Sequence, residues 1–356
     1  MNKQTVLYNE HQKLGAKFTA FGGWDMPVQY TSITEEHAAV RTHAGIFDTS
    51  HMGVILVKGP QSVAFLKLIT PADIDRLVPG QAKYSFFLNE NGGIVDDLII
   101  YARSNDYLLV INAGNREKDM AWVMDHLIHD MAVEDLSDQI CLLSIQGPAA
   151  QKLLQPLVYE NLSAIKYFHY LPAMFEPLHL AMTIARTGYT GEDGFELFVP
   201  VAHAAAVWQL IAMTGARPCG LGCRDTLRLE ACMPLHGHEI SDTITPLEAK
   251  LERSICWQND FIGKQALLKQ KETGLSSFLT ACTVSDGIPR AGYEIRINEV
   301  PAGLVTSGTF SPTKKTGIAL GYINRPVAAA DKVTIVIHNQ PRLATIVPMP
   351  FYKRNK

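Results

Sequence analysis

YSFFLNENGGIVDDLIIY, residues 84–101, decides how the chain is read. Apolar and aromatic residues flank Asn89, Glu90, Asn91, Gly92 and Gly93, the residue types that tolerate positive φ, so the stretch predicts two strands joined by a tight turn. The second strand is apolar on both pleat faces through Ile94, Val95, Leu98, Ile99 and Ile100, the pattern of a strand covered on both sides. Asp96 and Asp97 sit in its middle. A buried carboxylate costs free energy unless it is hydrogen-bonded or paired. Side chains alternate along a strand, so Asp96 shares a face with Ile94, Leu98 and Ile100, and Asp97 one with Val95, Ile99 and Tyr101. A same-face carboxylate dyad is thereby excluded. Pattern alone leaves two readings: a strand end emerging into solvent, or one carboxylate doing chemistry while the other caps or pairs.

The surrounding chain predicts an α+β unit. Gly53 to Lys58 reads as a strand, Gly59-Pro60 as a turn and Gln61 to Leu68 as a helix; Tyr107 to Asn112 is another strand. A helix from Arg116 to about His129 carries Met120, Val123, Met124 and Leu127 at three-and-four spacing. The order "apolar strand, Gly-Pro, helix" returns at 140–157, which hints at an internal duplication. Upstream, residues 35–52 begin helical and break at Gly45, with His37, Arg41 and His43 expected on a solvated face. Asp225 or Thr226 is expected to cap a short helix containing Leu227 and Glu230. From about residue 275 short strands punctuated by Gly and Pro predict an all-β barrel or sandwich.

Composition narrows the function classes. The 356 residues are 47% hydrophobic, enough for two or three cores. A formal charge of −3 gives no electrostatic footprint for nucleic acid or an anionic membrane. The opening residues contain no apolar signal segment and no apolar run approaches about 18 residues, so a cytoplasmic protein is expected, with six scattered cysteines fitting a reducing compartment. Gly188-Tyr-Thr-Gly191-Glu-Asp-Gly194 is neither a Walker loop nor a dinucleotide fingerprint, because no Gly-Lys-Ser/Thr follows and the next element is a strand. It reads as a turn that aims Tyr189 and Glu192 or Glu196. Cys219, Cys223, Cys232, His236 and His238 match no zinc-ribbon or HExxH spacing, so no metal is expected. Arg224, beside two glycines, is the better functional candidate, its planar fork suited to a carboxylate.

FGGWDMPVQY (21–30), VRTHAGIFDTSHMG (40–53), NENGGIVDDLIIY (89–101), SIQGPAAQ (144–151), RTGYTGEDGFELFVP (186–200), PCGLGCRDTLRLEACMPLHGHE (218–239), DFIGKQAL (260–267), GIPR (287–290) and SGTFSPT (307–313) closely resemble the glycine cleavage T-proteins, in order along the whole chain. The resemblance implies a three-domain, cloverleaf-like arrangement around a central folate cavity. Residues 1–52 plus 138–249 would form one α+β domain, residues 53–137 a ferredoxin-like α+β domain and residues 250–356 a barrel or jelly roll. It also implies the reaction, in which the methylene carbon of an S-aminomethyl-dihydrolipoyl arm on the lipoylated H-protein passes to tetrahydrofolate and ammonia is released. Carried over position by position, Asp96 becomes the catalytic group and Asp97 a structural partner whose loss hurts stability more than chemistry. Glu196 becomes the pterin contact and Arg224 a folate contact, with Tyr84, Asn112, Tyr189 and Tyr101 around them. Cys223, Cys232 and His236 depart from the family pattern beside Arg224 and bear on cavity shape and substrate preference. A folate-dependent demethylase and a folate-binding regulatory module are the alternatives. Ammonia release from aminomethylated H-protein separates both from the transferase.

Overall fold

The computed structural model describes residues 2–354. Strands Ala82–Leu88 and Ile94–Ala102 pair antiparallel across the turn at 89–93. Asn89 closes that turn by accepting the backbone N–H groups of Asn91 and Gly93 on its side-chain oxygen. Glycine is required at 93 because a Cβ there would meet the Asp242 carbonyl oxygen at 1.9 Å. The hairpin tip therefore lies directly on the 241–244 loop. Phe86, Leu88 and Ile94 bury their side chains there against Ile240, Leu247, Phe261 and Leu267.

Two sheets stack face to face. The first has the order Ala82–Leu88, Ile94–Ala102, Asp106–Ile111, Gly53–Lys58, Ala132–Asp135. The second runs Tyr170–Phe175, Leu180–Ala185, Gly194–Pro200, Ile140–Gln146, Gly45–Asp48, Arg217–Pro218. Period-2 alternation divides each strand between two cores. In the first sheet Ile55, Val57, Leu98, Ile100 and Leu109 pack under helices Ser62–Ile69 and Arg116–Asp125. Val54, Leu56, Tyr101, Leu108 and Val110 face the other way and meet Leu142, Ala185 and Phe198 of the second sheet. The outer face of that second sheet is covered by helix Ala204–Met213 through Val207, Trp208 and Ile211. The duplicated succession has a geometric counterpart. Gly59 and Gly147, each just after an apolar strand and before a helix, both take φ +131°, and a Cβ at either would strike backbone, the Asp130 oxygen at 2.3 Å or the His43 oxygen at 2.4 Å.

A closed six-stranded barrel, Phe278–Val284, Thr316–Ile323, Val300–Ser311, Glu294–Ile297, Val333–Ile337 and Gln340–Val347, completes the fold. Its strands conform to the short-strand pattern; Phe278–Val284 went unseen in the sequence, because Thr280 and Thr283 fall on opposite pleat faces and leave no clean period-2 pattern.

Of the residues of helix Ile33–Thr42 expected in solvent, His43 at its C-cap is exposed, but His37 and Arg41 form the seam that joins these parts. His37 is buried and contacts Thr226 at 2.8 Å and Thr313 at 3.1 Å. Arg41 pairs with Glu230 at 2.9 Å and Glu192 at 3.1 Å. A polar helix stripe cannot tell water from a polar partner, and here the partner is the fully buried Glu230, which also accepts from Ser311 and Thr313 of the barrel. Burial opposes its charge, but the hydrogen bonds from His37 and Ser311 and the charges of His37 and Arg41 outweigh it and take its pKa down from 4.5 to about 2. A depressed carboxylate adds stability that is complete above its unfolded pKa and is lost as pH falls through the folded one. The unfolding free energy is therefore expected to drop between pH 4.5 and about 2. Urea titrations should show a shallower drop in Glu230→Gln.

Candidate active site

At one end of the interface between the sheets Tyr84, Asp97, Asn112, Tyr189, Glu196 and Arg224 are all only partly buried, and the space they share is the candidate cleft. Asp97, half-buried, accepts the Tyr84 hydroxyl at 3.0 Å and the Asn112 amide at 2.6 Å. Burial, and the Asp96 carboxylate behind it, push its pKa up to about 7, against the opposing pull of those two hydrogen bonds. Tyr84 is held well above its ordinary value by burial and the Asp97 charge, so it stays a donor.

Asp96 does not face this cleft. It is 0% exposed, on the side of the sheet covered by helix Arg116–Asp125, and accepts Asn112 N at 3.2 Å, Asn112 Nδ2 at 2.9 Å and Asn115 Nδ2 at 2.9 Å. The member of the pair beside Tyr84 is thus Asp97, where the resemblance put Asp96. Alternation correctly separates the two carboxylates, but both faces of the strand are buried, and nothing in period 2 says which one looks into the cleft. A register shift at Phe87/Leu88 also interrupts the pairing just before them.

Across the cleft Glu196 projects from the inner face of Gly194–Pro200, on the same side as Phe198, and accepts the Thr187 hydroxyl at 2.5 Å. Tyr101 stands 3.4 Å from that same hydroxyl. Arg224 comes from the first turn of helix Leu221–Glu230, its guanidinium carbon 4.8 Å from the Tyr189 ring centre. Its buried Nη1 has no acceptor among the described residues. Burial lowers its pKa, with Glu196 and Tyr189 acting in the other direction. Gly220, not Asp225 or Thr226, occupies the N-cap of this helix, and its N–H is bound by Glu36 at 2.8 Å. The structure thus brings Tyr84, Asn112, Tyr101, Tyr189, Glu196 and Arg224 around one cleft with Asp97.

Sequence reading missed two groups here. His51 is buried beside Arg224 and Asp48, and burial, with the nearby arginine, takes its pKa down to about 4, so it is neutral at physiological pH. Arg354, in the polar YKRNK tail, lies 5.8 Å from the Tyr167 ring and 3.2 Å from Asp193. Asp193 immediately precedes the strand Gly194–Pro200 that carries Glu196, which puts this cation on the Glu196 side. A hydrophilic terminus carries no pattern that would reveal such a docking.

Glu36, Cys219 and Cys223 place ligand-type atoms within 4.8 Å of one another. The Glu36 carboxylate is engaged by the N–H groups of Tyr30, Thr31 and Gly220, so it works as a clamp on two loops. Cys223 packs with Val40, Phe47 and Leu227, and Cys232 against the Leu229–Phe351 cluster. Neither thiol is needed by the polar network of the cleft.

This pair of stacked sheets plus barrel is a recognised class. Residues 7–259 match the family model described as the GCVT N-terminal domain, and residues 279–353 that of the glycine cleavage T-protein C-terminal barrel domain. The chain belongs to the glycine cleavage T-protein family. It is 47% identical to the aminomethyltransferase of Geobacillus kaustophilus, with 100% of each chain covered, and 47% identical to that of Desulforamulus reducens, covering 99% of this chain and 98% of the relative. A crystal structure of glycine cleavage system aminomethyltransferase T from Bartonella henselae superposes with a TM-score of 0.93 at 34% identity, over 99% of both chains. No helix of the described residues is long and apolar enough to cross a membrane.

Proposed function

We propose that tetrahydrofolate binds in the cleft between Asp97 and Glu196 and that Asp97, not Asp96, is the catalytic carboxylate. The chain is a tetrahydrofolate-dependent aminomethyltransferase: it moves the methylene carbon of S-aminomethyl-dihydrolipoyl H-protein to tetrahydrofolate, giving 5,10-methylenetetrahydrofolate, ammonia and dihydrolipoyl H-protein. The bacterial relatives support a cytoplasmic setting. The observation that carries the assignment of roles is the contrast between the two aspartates. Asp97 opens onto the cleft with Glu196 and Arg224 opposite, and Asp96 is sealed behind the sheet.

The residues suit the ligand. Glu196 has one oxygen engaged by Thr187 and another available to a pterin edge rich in N–H donors. Tyr84, Tyr101 and Tyr189 supply flat walls for a ring system. Arg224, with a buried N–H lacking an acceptor, fits an anionic tail, and Arg354 offers a second cation. A carboxylate whose pKa lies near 7 can orient folate N5, stabilise positive charge developing on the methylene carbon, and take up the proton that N5 gives away. Alignment of two large substrates adds a further share of the rate.

Ammonia release from aminomethylated H-protein, measured with and without tetrahydrofolate, tests the function directly; release that ignores folate would refute it. Arg224→Ala is expected to raise the KM for tetrahydrofolate roughly 10- to 100-fold, the scale of a hydrogen bond to a charged group, with a much smaller change in kcat. An unchanged KM would remove Arg224 from the site.

A further inference from the structure

We propose that Asp119 is a proton-bearing, neutral carboxyl group that donates a hydrogen bond to Asp96 and, through Asp96 and Asn112, positions the catalytic Asp97; the inference rests on the reading of Asp97 given above. Asp119 belongs to the first turn of helix Arg116–Asp125, where acidic residues normally face solvent, yet it is 0% exposed. Among the described residues no N–H or O–H donor reaches either of its oxygens. It stands four residues after Asn115, one helical turn on, and Asn115 donates to the Asp96 carboxylate at 2.9 Å, so Asp119 shares the helix face turned to Asp96. The adjacent Lys118 does not neutralise it by contact, because its ammonium donates to the Val95 carbonyl at 2.6 Å and lies 3.7 Å from Asp242.

Two bare carboxylates in one buried place repel, and neither is exposed to bulk solvent. A single proton between them converts the repulsion into a charge-assisted O–H···O bond. The surroundings say where that proton resides. Asp96 accepts three N–H donors, from the Asn112 backbone, the Asn112 amide and the Asn115 amide, all of which favour its ionised form. Asp119 accepts none. Burial first, then the hydrogen bond and charge of Asp96, drive the Asp119 pKa up to about 11, with Lys118 pulling down and Asp97 adding to the rise.

The consequence reaches the cleft through one side chain. The Asn112 amide nitrogen spans both faces, donating to Asp96 Oδ1 at 2.9 Å and to Asp97 Oδ1 at 2.6 Å. With Asp119 protonated, the pair behind Asp97 carries one negative charge in place of two. The charged and titratable groups facing it are Asp97 on the same strand, Lys118 on the helix and, beyond Asp97, Tyr84 on the neighbouring strand. A second negative charge there would raise Asp97 further and leave it protonated at neutral pH.

Asp119→Asn keeps a neutral donor of the same shape, and Asp119→Ala removes it. The linkage sign is definite. The folded protein holds a proton on Asp119 between pH 3.8 and about 11 that the unfolded chain has released, so this residue makes wild-type stability decline as pH rises through that window. Asp119→Asn lacks the decline, and its melting temperature relative to wild type is expected to climb from pH 4.5 to pH 8. A difference that does not change with pH would overturn the proton. In turnover, Asp119→Asn should keep the wild-type kcat and pH profile, whereas Asp119→Ala, by freeing Asp96 and Asn112 to shift, should lower kcat roughly tenfold, the scale of one charge-assisted hydrogen bond, and leave the folate KM in place. A profile shifted in Asp119→Asn, or a folded Asp119→Ala with wild-type kcat, would overturn the positioning role. The melting measurement needs no turnover. An active Asp97→Asn enzyme therefore refutes the assignment of Asp97 without touching the Asp119 proton, and the two failures are distinguishable.

Discussion

Asp97→Asn is expected to lower kcat for ammonia release by about 10²- to 10⁴-fold, the range supplied by a positioned proton-transfer group. The KM for tetrahydrofolate should change little, because Glu196, Arg224 and the tyrosine walls remain. Since the ionised carboxylate is the working form, wild-type activity should rise as pH climbs through about 7, and that limb should be absent in the variant's residual rate. Stability moves the other way. The folded pKa of Asp97 is above its unfolded value, so its buried charge costs stability increasingly as pH rises from 3.8 to about 7. At pH 8 the asparagine variant should melt no lower than wild type. Asp96→Asn is the contrasting case, since its amide would confront the Asn112 and Asn115 donors with a donor of its own and loosen the sheet. Full activity in Asp97→Asn, measured beside an inactive but equally folded Asp96→Asn, would restore the original order of roles.

The largest expected loss of stability lies in Arg228→Ala. This arginine is buried, and every edge of its fork is used: Nε to Asp225 at 2.8 Å, Nη1 to Glu239 at 2.7 Å and to the Met233 carbonyl at 3.2 Å, Nη2 to Ser307 of the barrel at 2.8 Å. Removing it leaves the fully buried Glu239 without its cation. Breaking such a pair from one side costs about 3–5 kcal/mol, which urea unfolding can measure. Arg228→Lys should recover only a small part, because one ammonium cannot reach three directions. A loss under about 1 kcal/mol, typical of exposed pairs, would show that the seam does not depend on this residue.

What the sequence made legible follows the reach of each signal. Local periodicity and turn chemistry located the 84–101 hairpin and most barrel strands, because the information sits within a few residues. The Gly-Pro breaks after 58 and 146 exposed the repeated unit for the same reason. The convergence of Tyr84, Glu196 and Arg224 could not be derived that way, since they lie on separate elements that meet only when the sheets stack; the family resemblance supplied it. Two readings met an ambiguity of environment. Helix Ile33–Thr42 has a polar face that water or Glu230 could satisfy equally well. For Asp96 and Asp97, both strand faces are core, and only the structure shows that Asp97 is the one left partly open. Asp119 escaped notice because an acidic residue in a first helical turn is so ordinary at the surface.

Helix Leu221–Glu230 carries Arg224 toward the cleft and, one turn later, Arg228 and Glu230 into the barrel seam. Substrate occupancy and barrel attachment are therefore expected to be linked, because one helix serves both. Ligand that grips Arg224 also selects the attached form, and at a hundred times its Kd it can lend that form up to about 2.7 kcal/mol. Amide exchange in Val300–Ser311, whose own side chains Ser307 and Ser311 face this seam rather than the cleft, should slow when tetrahydrofolate is added. Slowing there would make the barrel a remote gauge of whether the cleft is filled, and unchanged exchange would show the two ends of the helix to be independent.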